Sequence, residues 1–197
     1  MSVQTPIEAF VAAASSAYHS HVQDAEGRRS IKQIFAGLEG ALEPRDTPGK
    51  RLPVCRYLDD TCVPDAFADP SLHALMAAFR AMEPQLNWYL RGGDQTGANE
   101  AYATGHANAM IIGPGGLVRH KSVWLGVSLL APAVRYPDHR HPPEETYLVL
   151  SEGAFYQEGR GWFTPGIGGT FYNPPGILHA MRSGQTPLFA MWALRAT

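Results

Sequence analysis

Four side chains in the C-terminal half have the types and spacing to share one metal ion. His139 and His141 alternate with Arg140, so on extended backbone both imidazoles leave the same face of the chain. Glu145 follows a Pro142-Pro143 corner that can turn the chain back, and His179 arrives much later, behind Pro174-Pro175-Gly176. Two histidines on one strand, a nearby carboxylate and a distant histidine can enclose one divalent ion and leave coordination positions open. Imidazole and carboxylate together suit Zn, Fe, Mn, Co or Ni.

The spacing His139-x-His141-x3-Glu145 resembles the first cupin motif, and Gly168-x5-Pro174-x-Gly176-x2-His179 resembles the second. Gly153 falls one place late for the glycine that usually ends the first motif, and Ser183 stands where an Asn often ends the second. The resemblance implies a cupin β-barrel (a double-stranded β-helix, or jelly roll) whose metal ligands are His139, His141, Glu145 and His179. A narrower pattern, Tyr136-x2-His139-x-His141-x3-Glu145-x-Tyr147 with His179 beyond it, is similar to the cupin-type dimethylsulfoniopropionate lyases of the DddQ group. Those enzymes also place a helical segment before the barrel. That likeness implies a β-elimination giving acrylate and dimethyl sulfide, with Tyr147 as the base and Tyr136 lining the pocket.

Residue chemistry is compatible with these roles. Glu145 and Tyr147 are two apart, so on a strand the phenol shares the ligand's face. A phenol has a pKa near 10, and a divalent cation favours deprotonation of groups beside it. Without the likeness, Tyr147 reads as an ordinary aromatic strand residue. A sulfonium is held best by aromatic faces. Tyr136, Trp162, Phe163, Phe171, Tyr172 and Trp192 all lie in this half, with Tyr136 and Trp192 the chosen substrate-binding candidates. The same ligand set leaves an Fe(II)-dependent cupin dioxygenase and a non-catalytic small-molecule-binding cupin open. Turnover without oxygen separates the first from a lyase, while an intact four-ligand set argues against the second.

These residues must be positioned by a mainly β fold. Short apolar runs at 107–112, 122–130, 146–152, 169–172 and 188–194 are separated by Gly or Pro turns, as in a sandwich or barrel. The first half is different. Thr5-Pro6-Ile7-Glu8 is a capping box leading into a helix to about His21. His19 and His21, two apart on that helix, make a poor ligand pair. Ser30 is expected to open a second helix carrying Ile31, Ile34, Phe35, Leu38 and Leu42, and Asp69-Pro70 a third that halts before Pro84. Residues 43–68 read as an irregular connection. The expected organisation is a helical segment over 1–92, packed on a barrel over 93–197.

Composition sets the outer limits. The chain has 197 residues, 45% hydrophobic and 17% charged, with sixteen Lys+Arg against eighteen Asp+Glu. Only three of the basic residues are Lys, and they do not cluster, which excludes a nucleic-acid footprint. No apolar run approaches the roughly 18 residues of a membrane span. The N-terminus lacks a basic stretch and has Glu8 where an apolar leader core would begin, so a cytoplasmic protein is expected. Cys55 and Cys62 read as two reduced thiols or at most a local clip. The partner is a small molecule, and the cupin likeness is compatible with a homodimer.

Overall fold

Each long helix begins at a residue that caps it. The computed structural model describes residues 4–40, 42–46 and 48–196; Met1–Val3, part of the leader reading, lie outside them. Helix α1 (Pro6–His21) starts at Thr5, whose hydroxyl accepts from the Glu8 amide at 3.3 Å while Glu8 Oε2 accepts from the Thr5 amide at 2.8 Å. Helix α2 (Ala25–Ala36) starts at Asp24, which accepts from the Gly27 amide. It therefore begins five residues before Ser30, and Leu38 and Leu42 lie past its end. Ser30 is buried in mid-helix because its hydroxyl has a use elsewhere, donating to Glu144 at 3.1 Å. The 43–68 connection is more ordered than expected, with 3-10 turns at Pro53–Tyr57 and Pro64–Ala66 and the single-turn helix α3 (Leu58–Thr61). Helix α4 (Pro70–Met82) is capped by Asp69 and stops ahead of Pro84.

The chain then turns to strands. Strand β1 (Trp88–Tyr89), the short helix α5 (Tyr102–Gly105), β2 (His106–Ile112) and β3 (Val123–Leu130) precede the motif region. After it come β4 (Glu144–Val149), β5 (Ala154–Gln157), β6 (Gly161–Phe163), β7 (Thr170–Asn173), β8 (His179–Arg182) and β9 (Leu188–Arg195). Strands β1, β5, β6 and β8 are additions to the sequence reading; each is two to four residues long and too short to show a period. All pairings between these strands are antiparallel. One sheet runs β1-β2-β3-β9-β4-β7, the other β6-β5-β8, and bridges Arg135–Arg182 and His139–His179 lay the motif segment along β8. Strand β1 pairs with β2, so the larger sheet starts before Gly93.

Period-two alternation explains how one strand serves two cores. Leu188, Ala190, Trp192 and Leu194 of β9 join the barrel interior, whereas Phe189, Met191 and Ala193 join the cluster shared with the helices. There Phe79 of α4 meets Phe10 of α1 at 6.3 Å and Phe189 at 5.2 Å between ring centroids. Burial on both faces makes β9 read as an unbroken apolar run. Cys55 and Cys62 are buried free thiols, and burial pushes the Cys62 pKa up to about 12, so it is inert as a nucleophile. Among the described residues no helix is long and apolar enough to cross a membrane.

Candidate metal centre and its cavity

The residues around the two motifs build one centre at the end of the barrel interior. His139 and His179 exchange both backbone hydrogen bonds at 3.0 Å, and the Gly176 amide reaches His141 O at 2.9 Å. Gly176 has φ +75, a conformation that glycine adopts without strain, and that turn delivers His179. Pro142-Pro143 swings the chain into β4, where Glu145 is the second residue.

Ligand atoms of His139, His141 and His179 all lie within 4.8 Å of one another. Each ring spends its Nδ1–H on a backbone carbonyl: His139 on Pro137 at 2.9 Å, His141 on Pro143 at 2.9 Å, His179 on Ile177 at 3.0 Å. A carbonyl only accepts, so Nδ1 carries the hydrogen and Nε2 keeps its lone pair for the centre. Glu145 Oε2 stands 3.5 Å from His141 Nε2 and 3.2 Å from His179 Nε2, and its own orientation is set by Asn173 Nδ2 at 3.0 Å, itself tied to Gln157. His179 Nε2 is buried without a hydrogen-bond partner. Lone pairs and a carboxylate converging in this way repel unless a cation lies between them, so the residues fit a divalent ion.

Electrostatics point the same way. Burial works to raise the Glu145 carboxyl, but with the residues alone, hydrogen bonds from the imidazoles of His141 and His179, in the state where Nε2 also carries a proton, outweigh it and hold it below the usual carboxylate range, so the carboxylate attracts positive charge to this point. Burial, seconded by His179, lowers His139 to about 3, so that ring is neutral at pH 7.

The centre opens into a cavity of about 240 Å³ lined by Tyr136, Tyr147 and Trp192 among others. All three sequence candidates therefore share one space with His139, His141 and Glu145. Tyr147 lies beside Trp192 in the sheet and stacks on Phe171 at 5.0 Å. Burial and then the Glu145 charge raise its pKa well above 10. The other aromatics go elsewhere: Phe171 is core, Tyr172 donates to Glu144 at 2.6 Å, Trp162 lies under Arg135 and Arg182, and Phe163 lies under Arg160.

Asn108, Ser128, Arg91, Met110 and Trp124 also line the cavity and escaped the sequence reading. The available signal was a polar residue at an inward position of an apolar strand, as Asn108 and Ser128 are. They form a chain with one direction, because an indole N–H only donates. Trp192 Nε1 gives to Ser128 at 3.0 Å, Ser128 to Asn108 Oδ1 at 2.7 Å, and Asn108 Nδ2 to the Tyr136 hydroxyl at 2.8 Å. Gly126 makes room for this, since a Cβ there would lie 2.1 Å from the Trp192 ring. The two motif departures are absorbed locally. Ser183 accepts from the Val134 amide at 2.9 Å and donates to Ala131 O at 2.6 Å, and Gly153 packs under Leu188.

The dimethylsulfoniopropionate lyase family model matches residues 26–190. The chain belongs to the dimethylsulfoniopropionate lyase family. Membership makes it a lyase. It is 29% identical to dimethylsulfoniopropionate lyase DddQ of Ruegeria pomeroyi over 159 residues, 80% of this chain and 77% of that one. It is 33% identical to a putative lyase DddL of Cereibacter sphaeroides over 87 residues, 44% of this chain and 36% of that one. The solved DddQ structure from Ruegeria pomeroyi superimposes with TM-score 0.67 at 24% identity, covering 95% of this chain and 91% of that chain. A chain from the crystal structures of lyases RdDddP and RnDddQII gives TM-score 0.72 at 20% identity, covering 98% and 93%. The expected fold class holds in its architecture: mainly β, a barrel of two antiparallel sheets behind a helical N-terminal segment, shared over nearly the whole chain with these lyase structures.

Proposed function

We propose that this lyase cleaves dimethylsulfoniopropionate by β-elimination, giving acrylate and dimethyl sulfide. The observation that carries the reading is the convergence of three Nε2 lone pairs and the Glu145 carboxylate at the head of a cavity that Tyr147, His139, His141 and Glu145 line. His139, His141, Glu145 and His179 would hold one divalent ion, and their donor set admits Zn, Fe, Mn, Co or Ni. When bound, such an ion supplies positive charge that acts as a Lewis acid and favours ionised neighbours.

Tyr147 is assigned as the general base. Its oxygen takes the proton from the carbon α to the carboxylate, that carbon's electron pair becomes the C=C bond, and the C–S pair leaves with sulfur as neutral dimethyl sulfide. With the residues alone, burial and Glu145 keep the phenol protonated, so its basicity depends on an occupied centre. Trp192 offers its ring face to the sulfonium. Tyr136 receives a hydrogen bond from Asn108 and retains its own proton to donate to the substrate.

Headspace analysis of metal-loaded protein with dimethylsulfoniopropionate should show dimethyl sulfide above the uncatalysed background, with or without oxygen. No sulfide overturns the reading, and turnover that stops anaerobically turns it into the dioxygenase.

A further inference from the structure

Arg91 lies just past β1, and its backbone is gripped from two sides. Its amide donates to His106 Nε2 at 2.9 Å, and its carbonyl accepts the Tyr102 hydroxyl at 3.2 Å. The gripping pair is itself fixed. His106 is buried, its Nδ1 gives its hydrogen to Tyr102 O at 2.6 Å, and the two rings stack at 3.8 Å with 7° between their planes. Burial lowers the imidazole's pKa, which matches a neutral ring with Nε2 as acceptor. The elimination has no use for this histidine. Its hydrogen bonds are spent on holding one backbone position at the cavity.

That position carries a guanidinium. Arg91 lines the cavity, and its Cζ stands 5.9 Å from the centroid of the Tyr136 ring. Among the described residues no carboxylate lies within ion-pair distance of it; its one side-chain hydrogen bond is to the backbone carbonyl of Asp94 at 3.4 Å, and its charge acts on the exposed Asp94 carboxylate only weakly, behind that group's own hydrogen bonds to Thr96. A cation this close to a cation-binding centre is unfavourable by itself. An anion seated between the two removes the conflict.

We propose that Arg91 recognises the carboxylate of the substrate, so that the cavity selects small carboxylates and orients them. A planar guanidinium fork matches a carboxylate in two parallel hydrogen bonds. The strand register gives the orientation. Tyr89 pairs with Asn108, so Arg91 lies beyond that pair toward His106, while Met110 and Trp192 flank Gly126 on its other side. A zwitterion that puts its carboxylate at Arg91 sends its cationic end away from the guanidinium and toward the Trp192 ring. That the carboxylate belongs to dimethylsulfoniopropionate rests on the lyase reading. The preference for a carboxylate does not.

The test is ligand binding rather than turnover. Dissociation constants for acrylate and for trimethylsulfonium, which lacks a carboxylate, are measured by calorimetry on metal-loaded wild type, Arg91→Gln and Arg91→Lys. Loss of a charge-assisted hydrogen bond should weaken acrylate about ten- to a hundredfold in Arg91→Gln and leave trimethylsulfonium unchanged or tighter. Arg91→Lys should recover part of the loss. Equal acrylate affinity in wild type and Arg91→Gln overturns the proposal, and so does an equal loss of both ligands. Should Arg91→Gln fail to fold, Arg91→Lys decides alone: acrylate weakened with trimethylsulfonium retained supports the proposal, and no difference overturns it. If wild type makes no dimethyl sulfide but its acrylate binding still depends on Arg91, the lyase reading falls and the carboxylate subsite stands.

Discussion

Strands β4 and β9 each present two faces, and the two faces are built to different standards. Outward, Leu148, Phe189 and Met191, with Leu150 just past β4, meet the helices, and the seam around Phe10, Phe79 and Phe189 leaves no room for a water molecule. Inward, the same strands enclose about 240 Å³ bordered by Glu145, Tyr147 and Trp192. The outer face is close-packed, as protein interiors normally are. The inner face gives up that packing for room, unsatisfied lone pairs and a directed hydrogen-bond chain. One residue of sequence separates a side chain that packs against the helices from one that lines the cavity.

The largest effect should come from the inner face. His179→Ala removes the proposed ligand farthest in sequence from the others, and elemental analysis should find the bound metal lost while the circular dichroism spectrum persists. Full metal retention would remove His179 from the centre. Next comes Tyr147→Phe, which keeps the ring and its stacking on Phe171 but removes the ionisable atom. Turnover should fall about 10²–10⁴-fold, the usual worth of general-base catalysis, with metal content and melting temperature unchanged. Activity within about tenfold of wild type would count against Tyr147 as the base.

The outer face should respond in the opposite sense. Phe189→Ala deletes a fully buried ring packed on Phe79 and should cost about 3–5 kcal/mol in urea unfolding. Turnover per folded, metal-loaded molecule should stay near wild type. A parallel fall in turnover would mean that the two faces are mechanically coupled and the contrast is false.

Legibility in the sequence follows the same division. The capping box at Thr5, the Asp69-Pro70 start and the apolar runs were readable because caps and periods are local. So were the four ligand candidates, whose spacing is local within each motif. Helix α2 was misplaced because Ser30 resembles a cap by type, yet its hydroxyl is used by Glu144 on a strand more than a hundred residues away. Arg91 went unread because nothing local marks it, and the polar interruption that Asn108 and Ser128 make in their apolar strands does not by itself say which partners they meet. Their roles appear only when β1, β2 and β3 lie side by side. Asn173, which orients Glu145, was equally silent, its partner being set by the β4–β7 register.

The smallest expected effect, and the sharpest form of the comparison, concerns adjacent carboxylates. Glu145 faces inward to histidines, whereas Glu144 faces outward and binds α2 and β9 to β4 through Arg29 at 2.6 Å, Arg195 at 2.7 Å, Ser30 and Tyr172. Burial works to raise the Glu144 carboxyl, but these donors, Arg29 foremost, bring it from the ordinary 4.5 down to about 2. A carboxyl depressed in the folded state adds stability that is present above the unfolded value and is lost as pH falls through the folded one. Glu144→Gln keeps the shape but loses the charge, and should cost about 1–3 kcal/mol at pH 7, the range for hydrogen bonds to a charged group. Because only the wild-type residue titrates, the stability gap between the two proteins should narrow from pH 4.5 toward 2. Urea unfolding of both at pH 7, 4.5 and 3 measures that gap. A gap that stays constant over this range would mean that Glu144 acts through packing alone and its arginines through nothing that ionisation controls. A gap that narrows, with the metal content of Glu144→Gln unchanged at pH 7, would show that the ionised Glu144 holds the helices to the sheet and has no part in the centre that its neighbour faces.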